Sequence, residues 1–127
     1  MTRPKILVVD DEHDVVDLLC MVLSKHGYHA LAAHNGMEGL MKAQSELPDL
    51  ILLDIMMGDM DGWEVLKLLQ LEEQTRGIPV VILSARTETR DKIRGLQEGA
   101  VDYLTKPFAV RNVLETIDGV LTDHDEA

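Results

Sequence analysis

The sequence predicts an α/β fold: five βα units forming a doubly wound parallel five-stranded sheet with strand order 2-1-3-4-5. Three observations carry this prediction. Three short runs are wholly apolar, Ile6 to Val9, Leu50 to Leu53 and Val80 to Leu83, as in strands buried on both faces. Longer segments with apolar residues at helical spacing separate them. Strand and helix alternate without a low-complexity stretch or linker, and regular alternation requires parallel strands with helices on both faces. Two more mixed runs, Ala30 to Ala33 and Val101 to Leu104, read as edge strands. Placing the most apolar runs at the centre gives the stated order, one of the two common in doubly wound sheets.

The helices follow in turn. Val15, Leu18, Leu19, Val22 and Leu23 share one face of the first, and Gly27 suits its stop. Asn35 with Glu38 forms a capping pair for the second, which Pro48 ends. Asp61 with Glu64 repeats the pattern before Val65, Leu66 and Leu69. Thr89 to Glu98 makes a shorter fourth helix, stopped by Gly99, and Val110, Val113, Leu114, Ile117 and Leu121 mark the fifth. Asp123 to Ala127 is a polar tail expected to fray. Trp63 and the methionines Met37, Met41, Met56, Met57 and Met60 are assigned to packing.

A length of 127 residues fits one domain. Its core is expected over about residues 5–121, with no output domain in this chain. The formal net charge of -11 argues against nucleic acid, whose binding needs phosphate neutralisation, and against anionic lipid. A single cysteine, Cys20, forbids an internal disulfide and reads as a small buried hydrophobe. No signal peptide precedes the first strand, and no apolar run approaches the roughly 20 residues of a membrane span. A cytoplasmic location is the expectation.

Ligands of open parallel sheets bind beyond the carboxyl ends of the strands. Strand 1 ends in Asp10-Asp11-Glu12, strand 3 in Asp54, strand 4 in Ser84 and strand 5 in Thr105-Lys106-Pro107. Asp10, Asp11 and Asp54 would share one pocket, each close pair repelling by roughly 4 kcal/mol at an effective dielectric near 20. Lys106 supplies one positive charge. A hard divalent cation with oxygen ligands would relieve the rest, and Mg²⁺ suits a site of few carboxylates. A carboxylate flanked by cation, lysine and hydroxyl is equipped to receive a phosphoryl group. Asp54 would be the nucleophile, giving an aspartyl phosphate.

These residues resemble those of a response-regulator receiver domain, the CheY-like, flavodoxin-like target half of two-component signalling. The likeness covers about Lys5 to Leu121 and rests on L-V-V-D-D-E at 7–12, L-L-D-I-M-M at 52–57, M-D-G at 60–62, V-I-L-S-A at 81–85 and Y-L-T-K-P-F at 103–108. The resemblance implies that Asp54 is the phosphoacceptor. It also implies that Asp11, Asp54 and the Met56 carbonyl ligate Mg²⁺ (Mn²⁺ also fits), with Asp10 acting mainly through water. Lys106, Ser84 and the Ala85 backbone N–H would bind the phosphoryl group. Ser84 and Tyr103 would move in response, and Lys106-Pro107 would be a cis peptide. A sensor histidine kinase or phosphotransfer protein would be the donor. The face of helix 4, strand 5 and helix 5 would signal to a protein target or a second copy of the chain. Met56 and Arg86 fall where the family tunes dephosphorylation. Gly58 departs from the family's usual proline, four residues after the acceptor.

Other readings make different predictions. A metal-dependent phosphatase acting through an aspartyl phosphate commonly carries a second acid two residues after its nucleophile, where this chain has Met56. A flavin-binding fold needs a neutral, hydroxyl-rich loop after strand 1, and Asp10-Asp11-Glu12 would repel the phosphate. A receiver-like scaffold that is never phosphorylated has no need of Asp10, Asp11, Asp54, Ser84 and Lys106 together. The chain is therefore expected to be a regulatory phosphoacceptor, catalysing only its own phosphorylation and dephosphorylation.

Overall fold

The computed structural model describes residues 3–85 and 89–126, with the backbone alone at 89–92 and 124–126. Five strands and five helices alternate: β1 (Lys5–Val9), α1 (His13–Lys25), β2 (His29–Ala33), α2 (Gly36–Glu46), β3 (Leu50–Asp54), α3 (Gly62–Leu71), β4 (Val80–Ser84), α4 (Thr89–Gln97), β5 (Asp102–Thr105) and α5 (Val110–Glu126). The strands form one sheet in the order β2-β1-β3-β4-β5, and each pairing is parallel. The predicted fold class and strand order are those found.

Side chains alternate across a strand, so each central strand feeds two cores. Leu7, Val9, Ile51, Leu53 and Ile82 face α2 and α3, meeting Leu40, Ala43, Trp63, Leu66 and Leu69. Ile6, Val8, Leu50, Leu52, Val81 and Leu83 face α1 and α5, meeting Val16, Leu19, Leu23, Val113 and Ile117. This two-sided burial is why β3 and β4 carry no polar residue before their final positions and β1 none after Lys5.

The helix ends follow local chemistry. Asn35 Oδ1 accepts from the Glu38 N–H at 2.8 Å, while Glu38 Oε1 accepts from the His34 N–H, one residue outside the expected box. Asp61 Oδ1 accepts from the Trp63 N–H at 2.9 Å. Leu47 takes the left-handed conformation (φ 45) just before Pro48, closing α2.

Several expectations need correction. β5 begins at Asp102, and Val101 is exposed. The polar tail continues α5 as far as Glu126 instead of lying beyond it. Met37, Met41 and Met56 are exposed, whereas Met57 and Met60 do pack against the α2–α3 core. Hydrophobicity alone suggested burial, but Met37 and Met41 lie on the outer side of α2. Cys20 is half-buried on α1, and burial, then the Asp17 charge, raises its thiol pKa.

One polar clasp joins α5 to the α1–β2 corner. Tyr28 donates its phenol hydrogen to Asp118 Oδ1, and His26 Nε2 lies 3.1 Å from Asp118 Oδ2. Burial, then Asp118, raises the Tyr28 pKa. Asp118→Ala should cost roughly 1 kcal/mol in urea unfolding, the net worth of a hydrogen bond of this kind. In a spectroscopic pH titration Tyr28 should then ionise at lower pH, though still above the ordinary tyrosine value, because burial persists.

Candidate functional site

The site forms where three parallel strands end abreast. Val9 pairs with Leu53 and Asp54 with Leu83, so Asp10, Asp54 and Ser84 arrive together at one edge of the sheet. All three are buried. β5 adds Lys106, whose backbone N–H donates to the Ser84 carbonyl at 2.7 Å. The Lys106–Pro107 bond is cis.

Lys106 is the positive centre of the cluster. Its Nζ lies 2.6 Å from Asp10 Oδ2, 3.1 Å from Glu12 Oε1 and 3.6 Å from Asp54 Oδ2. One ammonium faces three carboxylates, so negative charge is left over. The consequence falls on Asp54. Burial, then the neighbouring Asp10 charge, pushes its pKa up to about 7, against the opposing pull of Lys106 and the Met56 N–H. Burial alone would lower the Lys106 pKa, but its hydrogen bond to Asp10 and the charges of Asp54 and Asp10 raise it overall.

Carboxylate oxygens of Asp10, Glu12 and Asp54 lie within 4.8 Å of one another. This donor set is all oxygen and carries excess negative charge, which suits a hard divalent cation. It differs from the expected trio in one member. Asp11 is exposed, and its Oδ2 accepts from the Gly58 N–H at 3.3 Å. The chain bends at Asp11, beyond the end of β1, and the Glu12 N–H turns back to donate to Asp10 Oδ1 at 3.0 Å. Sequence reasoning passed over Glu12 as part of an acidic run.

The loop between β3 and α3 covers the site. The Met56 N–H donates to Asp54 Oδ1 at 3.2 Å, and Met56 forms an antiparallel bridge with Asp61. At the loop's end, Gly62 leaves no space for a side chain. A Cβ there would lie 2.5 Å from the Asp54 carbonyl oxygen and 2.5 Å from Ile55 Cα. Both obstacles are backbone and cannot rotate away. Gly62→Ala should therefore cost about 2 kcal/mol in urea unfolding, more than alanine's helix-propensity gain of at most about 1 kcal/mol can offset. Gly77→Ala, with nothing within 4 Å of its Cβ, is the matched control and should change little.

Tyr103, on β5, is partly buried against the α2–α3 core. Ala85 follows β4 and is exposed. Arg86 lies outside the described residues. His13 is exposed and stacks on His34 with ring centroids 4.2 Å apart.

Comparisons with known proteins agree with this geometry. Residues 6–118 match the family model described as the response regulator receiver domain. The chain is 47% identical over 117 residues to the alkaline phosphatase synthesis transcriptional regulatory protein PhoP of Bacillus subtilis, covering 92% of this chain and 48% of that protein. It is 39% identical to protein PilH of Pseudomonas aeruginosa, covering 92% of this chain and 97% of PilH. The chain thus spans about half the length of PhoP but nearly all of PilH. Among solved structures, a Francisella response regulator receiver domain superposes with a TM-score of 0.89 at 34% identity, covering 96% of this chain and 99% of that one. A CheY-like receiver domain protein from Methanospirillum hungatei gives 0.91 at 29% identity, covering 98% of each.

Proposed function

Because the chain belongs to the response regulator receiver domain family, we propose that Asp54 accepts a phosphoryl group from the phosphohistidine of a sensor histidine kinase or phosphotransfer protein. The observation that carries this reading is the Lys106 ammonium 2.6 Å from Asp10 and 3.6 Å from Asp54 at the strand ends. A carboxylate oxygen of Asp54 attacks phosphorus, a new O–P bond forms, and the P–N bond breaks with its electron pair going to the imidazole. Lys106, already beside Asp54, faces the incoming phosphoryl oxygens with positive charge. The Met56 N–H holds the other Asp54 oxygen. Ser84, on the strand neighbouring Asp54, and the Ala85 N–H would donate to the phosphoryl group.

Asp10, Asp54 and the loop that bears Met56 would hold Mg²⁺ or Mn²⁺, with Asp11 turning from Gly58 to join them. When bound, that cation supplies positive charge against the phosphoryl oxygens. The protein is then a cytoplasmic regulator rather than a turnover enzyme. Its signal leaves through the face of α4, β5 and α5, where Ile93, Leu96 and Val101 expose apolar surface to a protein target or a second copy. Among the described residues no helix is long and apolar enough to cross a membrane.

Incubation with a small acyl phosphate and Mg²⁺, followed by peptide mapping, should give one phosphoryl group on the peptide containing Asp54. Label elsewhere, or none, overturns the assignment. Multiple turnover on phosphate monoesters would favour the phosphatase reading instead.

A further inference from the structure

The β3–α3 loop touches the site carboxylates from one side and α2 from the other. On the site side, the Met56 N–H holds Asp54 Oδ1 and the Gly58 N–H holds Asp11 Oδ2. On the far side, Asp59 reaches across the fold. Its Oδ1 accepts from the Gly36 N–H at 2.9 Å and its Oδ2 from the Met37 N–H at 3.2 Å. These are the first two amides of α2, which no intrahelical carbonyl satisfies. Gly36 is also pressed against the loop, since a Cβ there would lie 2.9 Å from Met60 Cβ. The same amides hold the Asp59 carboxyl pKa below its ordinary value. Met57 and Met60 pack inward on either side, but between them Gly58 and Asp59 are exposed, and a side chain at Gly58 would meet nothing closer than 3.9 Å.

We propose that Asp59 is a positioning residue for the site. By bridging both of its oxygens to the start of α2, it fixes the loop whose amides orient Asp54 and Asp11, and so sets the site's affinity for a divalent cation. The inference rests on the phosphoacceptor reading only in naming Mg²⁺ as that cation. Two kinds of cap meet at the same helix end, which makes the proposal separable from simple support of α2. Asn35 caps α2 through the Glu38 N–H without touching the loop, whereas Asp59 caps it and holds the loop.

The test compares Asp59→Ala, Asp59→Asn and Asn35→Ala in two measurements that need no phosphorylation. In EDTA, amide hydrogen exchange of residues 56–60 should be about fivefold faster in Asp59→Ala and unchanged in Asn35→Ala. Calorimetric titration with Mg²⁺ should give about tenfold weaker binding in Asp59→Ala, an intermediate loss in Asp59→Asn, which keeps one acceptor oxygen, and none in Asn35→Ala. Unchanged Mg²⁺ binding in Asp59→Ala overturns the proposal. So does an equal loss in Asn35→Ala, which would make α2 integrity the cause. Acyl phosphate labelling of the parent chain is scored separately. A parent that binds Mg²⁺ but takes no label counts against the phosphoacceptor reading and leaves the Asp59 bridge standing.

Discussion

Asp54→Asn should lose acyl phosphate labelling by at least about 100-fold, since an amide is a poor nucleophile for phosphorus, and should make the fold more stable at neutral and higher pH. In the folded chain Asp54 keeps its proton up to about pH 7, because burial and Asp10 oppose its charge. In the unfolded chain it ionises near the ordinary carboxylate value. The folded state therefore holds more protons than the unfolded state between those two values. Stability drains away as pH rises through that window, and above about pH 7 the full penalty applies. Asparagine removes the charge and keeps an oxygen for the Met56 N–H. Urea unfolding in EDTA should show a gain on the order of 2 kcal/mol at pH 8, shrinking towards nothing near pH 4. Equal stability at pH 8 would mean that Asp54 is not strained by its charge.

Lys106→Ala should act in the opposite direction on the same cluster. It removes the ammonium 2.6 Å from Asp10, a side chain with no solvent exposure, and leaves buried negative charge unpaired. Breaking a buried pair by deleting one partner is among the costliest single changes, and a loss of about 3 kcal/mol is expected at pH 8. At pH 5 the loss should be smaller, because protonation of Asp54 relieves the excess charge. Adding Asp54→Asn to Lys106→Ala should recover part of the loss at pH 8, as expected for coupled neighbours. Urea midpoints of the two single variants and the double variant test this, and strict additivity at both pH values would count against a shared electrostatic cluster.

Much of the molecule was legible in the sequence because burial on both faces leaves a continuous apolar signature. Leu50 to Leu53 and Val80 to Leu83 could be read directly as central strands, and the charged or hydroxyl residue ending each run marked the site edge. The errors have physical causes. Glu12 was given no role because a run of acids does not announce which of its members meets Lys106. That ion pair spans 94 residues and exists only in the folded chain. Met37 and Met41 were misplaced because apolar character says little about which side of a helix meets the sheet. Asp59 was invisible as a contributor because its partners, Gly36 and Met37, lie 23 and 22 residues away and meet it only after the sheet has formed.

α4 has a consequence of its own. Among its described residues, Gly95 is buried where an added Cβ would lie 3.7 Å from the Trp63 ring, and Arg94 lies 4.5 Å over that ring. Its two large apolar side chains, Ile93 and Leu96, are instead about half exposed. Displacing residues 93–97 therefore forfeits little buried apolar area, and their amides should exchange faster than those of α1. α1, by contrast, is anchored by the buried Val16, Leu19 and Leu23, so equal exchange in the two helices would mean that exposed Ile93 and Leu96 cost α4 nothing in local stability.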